Sequence, residues 1–225
     1  GKSSGHKGAR RASDLGPKGR LTRRRFIEAL LALLDEQPLR QIAVLDIAGR
    51  AETSPATFYL YFSNVRAIAL AASVELSQST PALFRILERE WSLENAYDNA
   101  LALMREYVAL WSRHRGLLHA RNQAADEGDI AFMQARSAAL RPMISLMAGK
   151  IAGIADSGVP DNATIARANL LVMMLERVGS VSPERRYNRR ANYRDIENAA
   201  ALLVAQTLMA RFSGPMKGET PEGDQ

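Results

Sequence analysis

The stretch IAVLDIAGRAETSPATFYLYF, residues 42 to 62, constrains the fold most, because it encodes two short helices joined by a tight turn. Val44, Ile47, Ala48 and Ala51 recur at i, i+3, i+4 and i+7, so the first helix, Val44 to Arg50, has one apolar stripe and leaves Asp46 and Arg50 outward. Ser54 offers its hydroxyl to the free N–H groups of a second helix, and Pro55 stands at the first helical position, where a missing N–H costs nothing. Such a helix–turn–helix, with small residues opening the second helix, places that helix's N-terminal residues in the major groove of DNA. On this reading Thr53, Ser54, Pro55, Ala56, Thr57, Tyr59 and Tyr61 are candidate DNA-binding residues, with Thr57 and Tyr59 facing outward. An ordinary helical hairpin fits the same residues, with Phe58, Tyr61 and Phe62 as core and Tyr59 at the rim.

Two helices this short cannot bury a core alone, so the rest of the chain must supply one. Ala, Leu, Arg and Met are abundant and only 6% of residues are aromatic, which favours helices throughout and predicts an all-α chain of about nine. Thr22 is the expected N-cap of helix one, whose Phe26, Ile27, Leu30, Leu31, Leu33 and Leu34 repeat at helical spacing up to about Glu36. Its first turn would then hold Arg23, Arg24 and Arg25, where cations oppose the helix dipole and so imply an external anion. Ser63 or Asn64 caps a fourth helix reaching about Gln78. Further helices are expected at about 82 to 90, 93 to 112, 114 to 126, 128 to 155, 161 to 180 and 191 to 212, with Ser92 and Asp161 as N-caps. Ser182 to Asn192 reads as a polar basic loop, solvated rather than a second DNA contact.

Charge is unevenly spread. Residues 1 to 25 carry nine cations, Lys18, Arg20, Arg23 and Arg24 among them, against Asp14 alone, while the whole chain sums to only +6, so the remainder is slightly acidic. A basic end on a near-neutral body suits a protein that meets phosphate at one end. An appended tag or a solvated disordered tail accounts equally well for Gly1 to Leu15.

The spacing of IAGRAETSPATFYLYFSNVRAI resembles the N-terminal domain of the tetracycline-repressor (TetR) family, matching at Ile47, Ala48, Ala51, Ser54, Thr57, Tyr59, Tyr61, Phe62 and Ile68. The family's turn glycine is Glu52 here, and its phosphate-gripping lysine is Val65, which leaves Arg66 to supply that contact. The resemblance implies an N-terminal three-helix helix-turn-helix head and a C-terminal helical bundle for ligand binding and dimerisation. Residues 1–19 are then a basic disordered arm, 20–66 the DNA-binding domain, 67–212 the ligand-binding and dimerisation domain, and 213–225 a disordered tail. The order of helix breaks and the stretch LLVMMLERVGS are similar to the branch containing the ethionamide repressor, which has an apolar channel through the body. Matching helix by helix implies ligand-binding roles for Met104, Tyr107, Trp111, Leu140, Met143, Met147, Val172 and Leu175. Helical stripes of this kind also build any bundle core.

The function this implies is a ligand-responsive regulator, a repressor released from a palindromic double-stranded DNA operator by a hydrophobic small molecule. The family's homodimer uses the last two helices, here with Ala199, Ala200, Leu203, Val204, Thr207 and Leu208. The alternative is a helical apolar-ligand-binding protein or an enzyme with a basic arm. Against an enzyme, His114 and His119 lie five residues apart, off a shared helix face, and no metalloprotease or phosphate-loop motif occurs. Asp126, Glu127 and Asp129 form an acidic cluster that suits a helix end and cap better than a metal. No cofactor or metal is expected. The chain has no cysteine, no signal peptide and no apolar run near the ~20 residues that span a bilayer, consistent with a cytoplasmic protein. The arm lacks the apolar face of a membrane-surface helix.

Overall fold

The computed structural model describes residues 15–154, 159–181 and 192–209, and these are all helical or connecting. In chain order the helices are α1 (Pro17–Glu36), α2 (Val44–Arg50), α3 (Pro55–Phe58), α4 (Val65–Gln78), α5 (Pro81–Glu88), α6 (Ala96–Arg113), α7 (Arg115–Asp126), α8 (Ile130–Ile154), α9 (Asn162–Ser180) and α10 (Tyr193–Met209). A 3-10 turn at Leu39–Gln41 joins α1 to α2. The expectations for residues 1–14, 182–191 and 210–225, which include the N-terminal part of the arm, the basic loop and the tail, lie outside the described residues.

Three capping expectations hold because they depend on local chemistry alone. The Ser54 hydroxyl accepts the Thr57 N–H at 3.2 Å, Asn64 rather than Ser63 accepts that of Ala67 at 2.8 Å, and Asp161 accepts that of Thr164 at 2.7 Å. Two others fail. Helix α1 begins at Pro17 after Gly16, five residues before Thr22, whose hydroxyl instead donates to the Lys18 carbonyl at 3.1 Å. Arg23, Arg24 and Arg25 are therefore the seventh to ninth residues of the helix, well past its first turn, and the dipole argument for an external anion there falls away. Ser92 does not cap α6, because Asn95 turns its side chain back onto the Ser92 N–H at 2.9 Å and the helix starts at Ala96.

The head is α1 to α3 with the face of α4 that meets them. Phe26, Leu30, Ile47, Phe58 and Ile68 are wholly buried there, and Phe26 meets Phe58 edge-on with centroids 5.3 Å apart. This core does not stop at α4. Leu117, Ala120 and Ala125 of α7 and Phe132 of α8 are buried in the same cluster, so the body supplies one wall of the head. Gly116 makes that joint possible, since a Cβ there would stand 2.4 Å from the Leu34 carbonyl oxygen of α1.

A second core fills the body between α5, α6, α8, α9 and α10, centred on Leu103, Met104, Trp111, Met147, Ile151, Leu175 and Val204. Gly179 of α9 admits the Trp111 ring, whose Cδ1 would lie 2.4 Å from a Cβ at that position. Helix α10 packs chiefly along α6, burying Ala200, Val204 and Leu208. These three residues are thus core of their own chain rather than partner-facing surface. The large apolar side chains that α10 leaves exposed are Leu202 and Leu203, and those that α9 leaves exposed are Ile165, Leu170 and Met173. No helix among the described residues is long and apolar enough to cross a membrane.

Candidate nucleic-acid interface and effector cavity

The turn between α2 and α3 is closed by the Thr53 N–H on the Ala48 carbonyl at 2.9 Å. Glu52 pays for its tightness with φ +52°, the left-handed region in which a side chain costs about 1–2 kcal/mol that glycine avoids. Its carboxylate reaches Arg25 at 3.4 Å, but both side chains are solvated and the pair contributes little. Glu52→Gly is accordingly expected to stabilise the protein by about 0.5–1 kcal/mol, the relief of strain less the entropy glycine adds to the unfolded chain. Thermal melting checks this, and a lower midpoint would contradict it.

Helix α3 is a single turn, and the chain tightens beyond it, with Leu60 and Tyr61 bonding three residues back to Thr57 and Phe58. Ser54, Ala56 and Tyr59 are exposed, Tyr59 by 53%, while Thr53, Pro55 and Thr57 are half-buried. The Thr57 hydroxyl lies 3.0 Å from that of Ser54, so the pair presents polar groups at the start of the helix. Tyr61 is half-buried with its ring 5.8 Å from Phe26, bracing the core.

The candidate cations are unequal. Lys18 and Arg20 are exposed, Arg20 donating to the Leu15 carbonyl at 2.7 Å. Arg24 is exposed beside Glu28 at 3.3 Å, one turn along the helix. Arg23 lies over the Phe62 ring and pairs with Glu75, joining α1 to α4. Arg66 is held in a two-pronged pair by Asp129, at 2.5 Å for each contact, and lies over Phe132. Asp129 also accepts the Ala131 and Phe132 N–H groups that open α8, and the Arg66 guanidinium holds its carboxyl below the usual carboxylate range. One member of the acidic cluster is therefore a helix cap and a head–body tie. Among the described residues no three His, Asp or Glu are grouped to hold a metal ion.

All eight candidate ligand residues meet in the body core or at its edge. Met104, Tyr107, Trp111, Met143, Met147, Val172 and Leu175 are buried, and Leu140 is half-buried against them. The open channel that the resemblance implies is closed, for these side chains pack on one another. What remains is a cavity of about 40 Å³ touching Tyr107, Trp111, Leu140 and Met143, room for water but far below the ~300 Å³ of a drug-sized site. A larger crevice of about 770 Å³ runs along the outside between α8 and α9, past Leu140 and Val172.

One polar cluster beside this cavity was not foreseen. Glu176 of α9, 4% exposed, binds Arg121 of α7 at 3.1 Å and Arg136 of α8 at 2.6 Å. Three residues from three helices share no sequence spacing, so no periodicity could have revealed them. Burial, reinforced by the Glu176 charge, pushes the Tyr107 phenol well above its ordinary range and keeps it protonated. His119 rests edge-on against Trp111 at 5.3 Å, and burial lowers its pKa.

Comparison with known proteins follows the same division. Residues 26–72 match the model of bacterial regulatory proteins of the tetR family, and residues 84–211 match that of the tetracyclin repressor-like C-terminal domain. No curated protein matches the sequence. Among solved structures, a tetR-family transcriptional regulator from Streptomyces coelicolor superposes with TM-score 0.65 at 16% identity, over 87% of this chain and 82% of its own. The fatty acid degradation regulator FadR from Bacillus halodurans gives 0.61 at 18% identity, over 91% and 99%. FadR from Bacillus subtilis, solved in complex with stearoyl-CoA, gives 0.62 at 14% identity, over 82% and 98%. At such identities the structures show a shared fold, whereas the C-terminal family match alone spans more than half the sequence. The chain belongs to the tetR family of bacterial regulatory proteins, transcription regulators that bind DNA operators and act as dimers.

Proposed function

We propose that this regulator is a repressor that holds a palindromic double-stranded operator as a homodimer through α9 and α10, and is released when a hydrophobic small molecule occupies its body. The observation carrying the DNA half is the Ser54-capped, Pro55-started helix that presents Ser54, Ala56, Thr57 and Tyr59 on the head. Lys18, Arg20 and Arg24 are the cations left to meet phosphate, with residues 20–66 as the reading unit, 1–19 and 213–225 as flanking arm and tail, and 67–212 for ligand and partner. The LLVMMLERVGS stretch supports placing the chain near the ethionamide-repressor branch, and its work on DNA supports a cytoplasmic location. For the effector, the support is an apolar core with a residual cavity beside Met143, a side chain flexible enough to yield. Ligand shifts the heads only through its preference for one of two body states, a coupling typically of about 1–3 kcal/mol.

The test is selection of a preferred duplex from a random library, followed by variants of the reading helix. Thr57→Ala is expected to relax discrimination at one base pair per half-site by about 1–3 kcal/mol. Tyr59→Phe should weaken all sequences alike, as loss of a phosphate contact does. Unaltered binding profiles for both variants would remove these residues from the interface.

Arg66 supplies a separate expectation. While Asp129 grips it, it is withheld from phosphate. Asp129→Asn should release it and steepen the fall of log K against log salt by about 0.9, the increment for one further phosphate neutralised. An identical slope would mean that Arg66 takes no part in binding DNA.

A further inference from the structure

The cluster beside the cavity shares one buried acid between two guanidiniums. Both Glu176 oxygens are occupied: Oε1 accepts from Arg121 at 3.1 Å and Asn122 at 3.4 Å, and Oε2 accepts twice from Arg136, at 2.6 and 3.2 Å. Arg121 is not so fully used. Its Nε donates to Asn122 at 3.0 Å and its Nη2 to Glu176, while Nη1 meets no acceptor among the described residues. No buried side-chain nitrogen or oxygen among the described residues lacks a partner, so Nη1 is not sealed off, and its donors are open to an acceptor that enters the cavity. Glu176 is the one buried acid of the cluster and is shared, because Arg136, 30% exposed, pairs with it as well as with the solvated Asp126. Arg121 is thus a buried guanidinium whose sole carboxylate partner among the described residues is shared, and a buried charge of this kind gains from a further negative group. Arg121, 5% exposed, lines the same cavity as Tyr107, Trp111 and Met143.

We infer that the effector is an amphiphilic acid, an apolar chain or ring system ending in a carboxylate that pairs with Arg121 at the wall of this cavity. This rests on the proposed function, in which an apolar compound occupies the body. The same contact supplies a route to the head. Arg121 lies on α7, whose Leu117, Ala120 and Ala125 are part of the head's core, and Glu176 lies on α9. An incoming carboxylate competes with Glu176 for Arg121, and so exchanges a tie between α7 and α9 for one between α7 and ligand. The cavity must widen to admit it, which the half-buried Leu140 and flexible Met143 permit.

Dodecanoate and 1-dodecanol, equal in chain length and different in charge, are titrated into the full chain below their aggregation limits, with tryptophan fluorescence as readout and circular dichroism as a check of folding. The wild type should bind dodecanoate at least roughly tenfold more tightly than the alcohol, the scale of one charge-assisted pair. Arg121→Met should bring the two together by weakening dodecanoate alone. Glu176→Gln, which removes the competing carboxylate, should tighten dodecanoate several-fold and leave the alcohol unchanged. Equal binding of both probes by the wild type overturns the inference and leaves the apolar-effector reading standing, whereas binding of neither overturns both. A preference that survives Arg121→Met places the carboxylate elsewhere and also overturns it. Should that variant not fold, Glu176→Gln decides, and unchanged dodecanoate affinity is the overturning result.

Discussion

A Leu170→Glu, Leu203→Glu double variant is expected to sediment as a folded monomer and to bind the operator roughly a thousandfold more weakly, toward the non-specific level of a single reading head. Leu170 of α9 is 63% exposed and Leu203 of α10 is 50% exposed, and Met173 and Leu202 are also exposed on these two adjoining helices. Several large apolar side chains left exposed on adjoining helices point to an interaction site. A two-fold dimer uses the same patch on both subunits, so each glutamate is buried against the partner twice over and the penalty is doubled. The choice of positions matters. Val204 is wholly buried in the body core, and an acid there would unfold the chain rather than separate two copies of it. Analytical ultracentrifugation beside circular dichroism checks the result; a double variant that remains dimeric would move the interface off this face.

Gly116→Ala should cost about 3 kcal/mol, the upper end of the range for overpacking, and lower the melting midpoint on the order of 5 to 10 °C. The added carbon would stand 2.4 Å from the Leu34 carbonyl oxygen and 2.8 Å from its Cβ. Backbone cannot swing aside as a side-chain end does, so α7 must lift from α1. That movement separates the body from the wall it lends the head, and DNA affinity should fall with stability. Gly149 gives the control within α8. A Cβ there meets nothing within 4 Å, so Gly149→Ala should stabilise by about 0.5–1 kcal/mol. Equal midpoints for both variants would mean that the α1–α7 approach is looser than the structure has it.

Sequence alone determined what depends on neighbours within about four residues. Ser54, Asn64 and Asp161 cap the helices they precede because a hydroxyl, amide or carboxylate three residues from a free N–H needs no tertiary help. Apolar periodicity likewise marked out α1, α4 and the body helices, and the turn at Glu52 was legible as a departure from glycine. Thr22 and Ser92 misled for the converse reason: each looks like a cap, yet Pro17 starts its helix earlier and Asn95 starts the other later.

Tertiary structure decided everything that joins distant segments. Helix α10 is apolar on more than one side, and only its packing along α6 separates Val204 and Leu208, which face inward, from Leu202 and Leu203, which face outward. The eight residues expected along a channel are brought together, but whether side chains so placed leave a tunnel or close on one another depends on helix separations that no sequence period encodes. They close, to a cavity of about 40 Å³. The Arg121–Glu176–Arg136 cluster lies furthest from local logic. Its members are 15 to 55 residues apart in the chain, and each read alone is a surface charge. Only the meeting of α7, α8 and α9 buries them together, and burial is what turns three solvated charges into an interaction with consequences for what the body can bind.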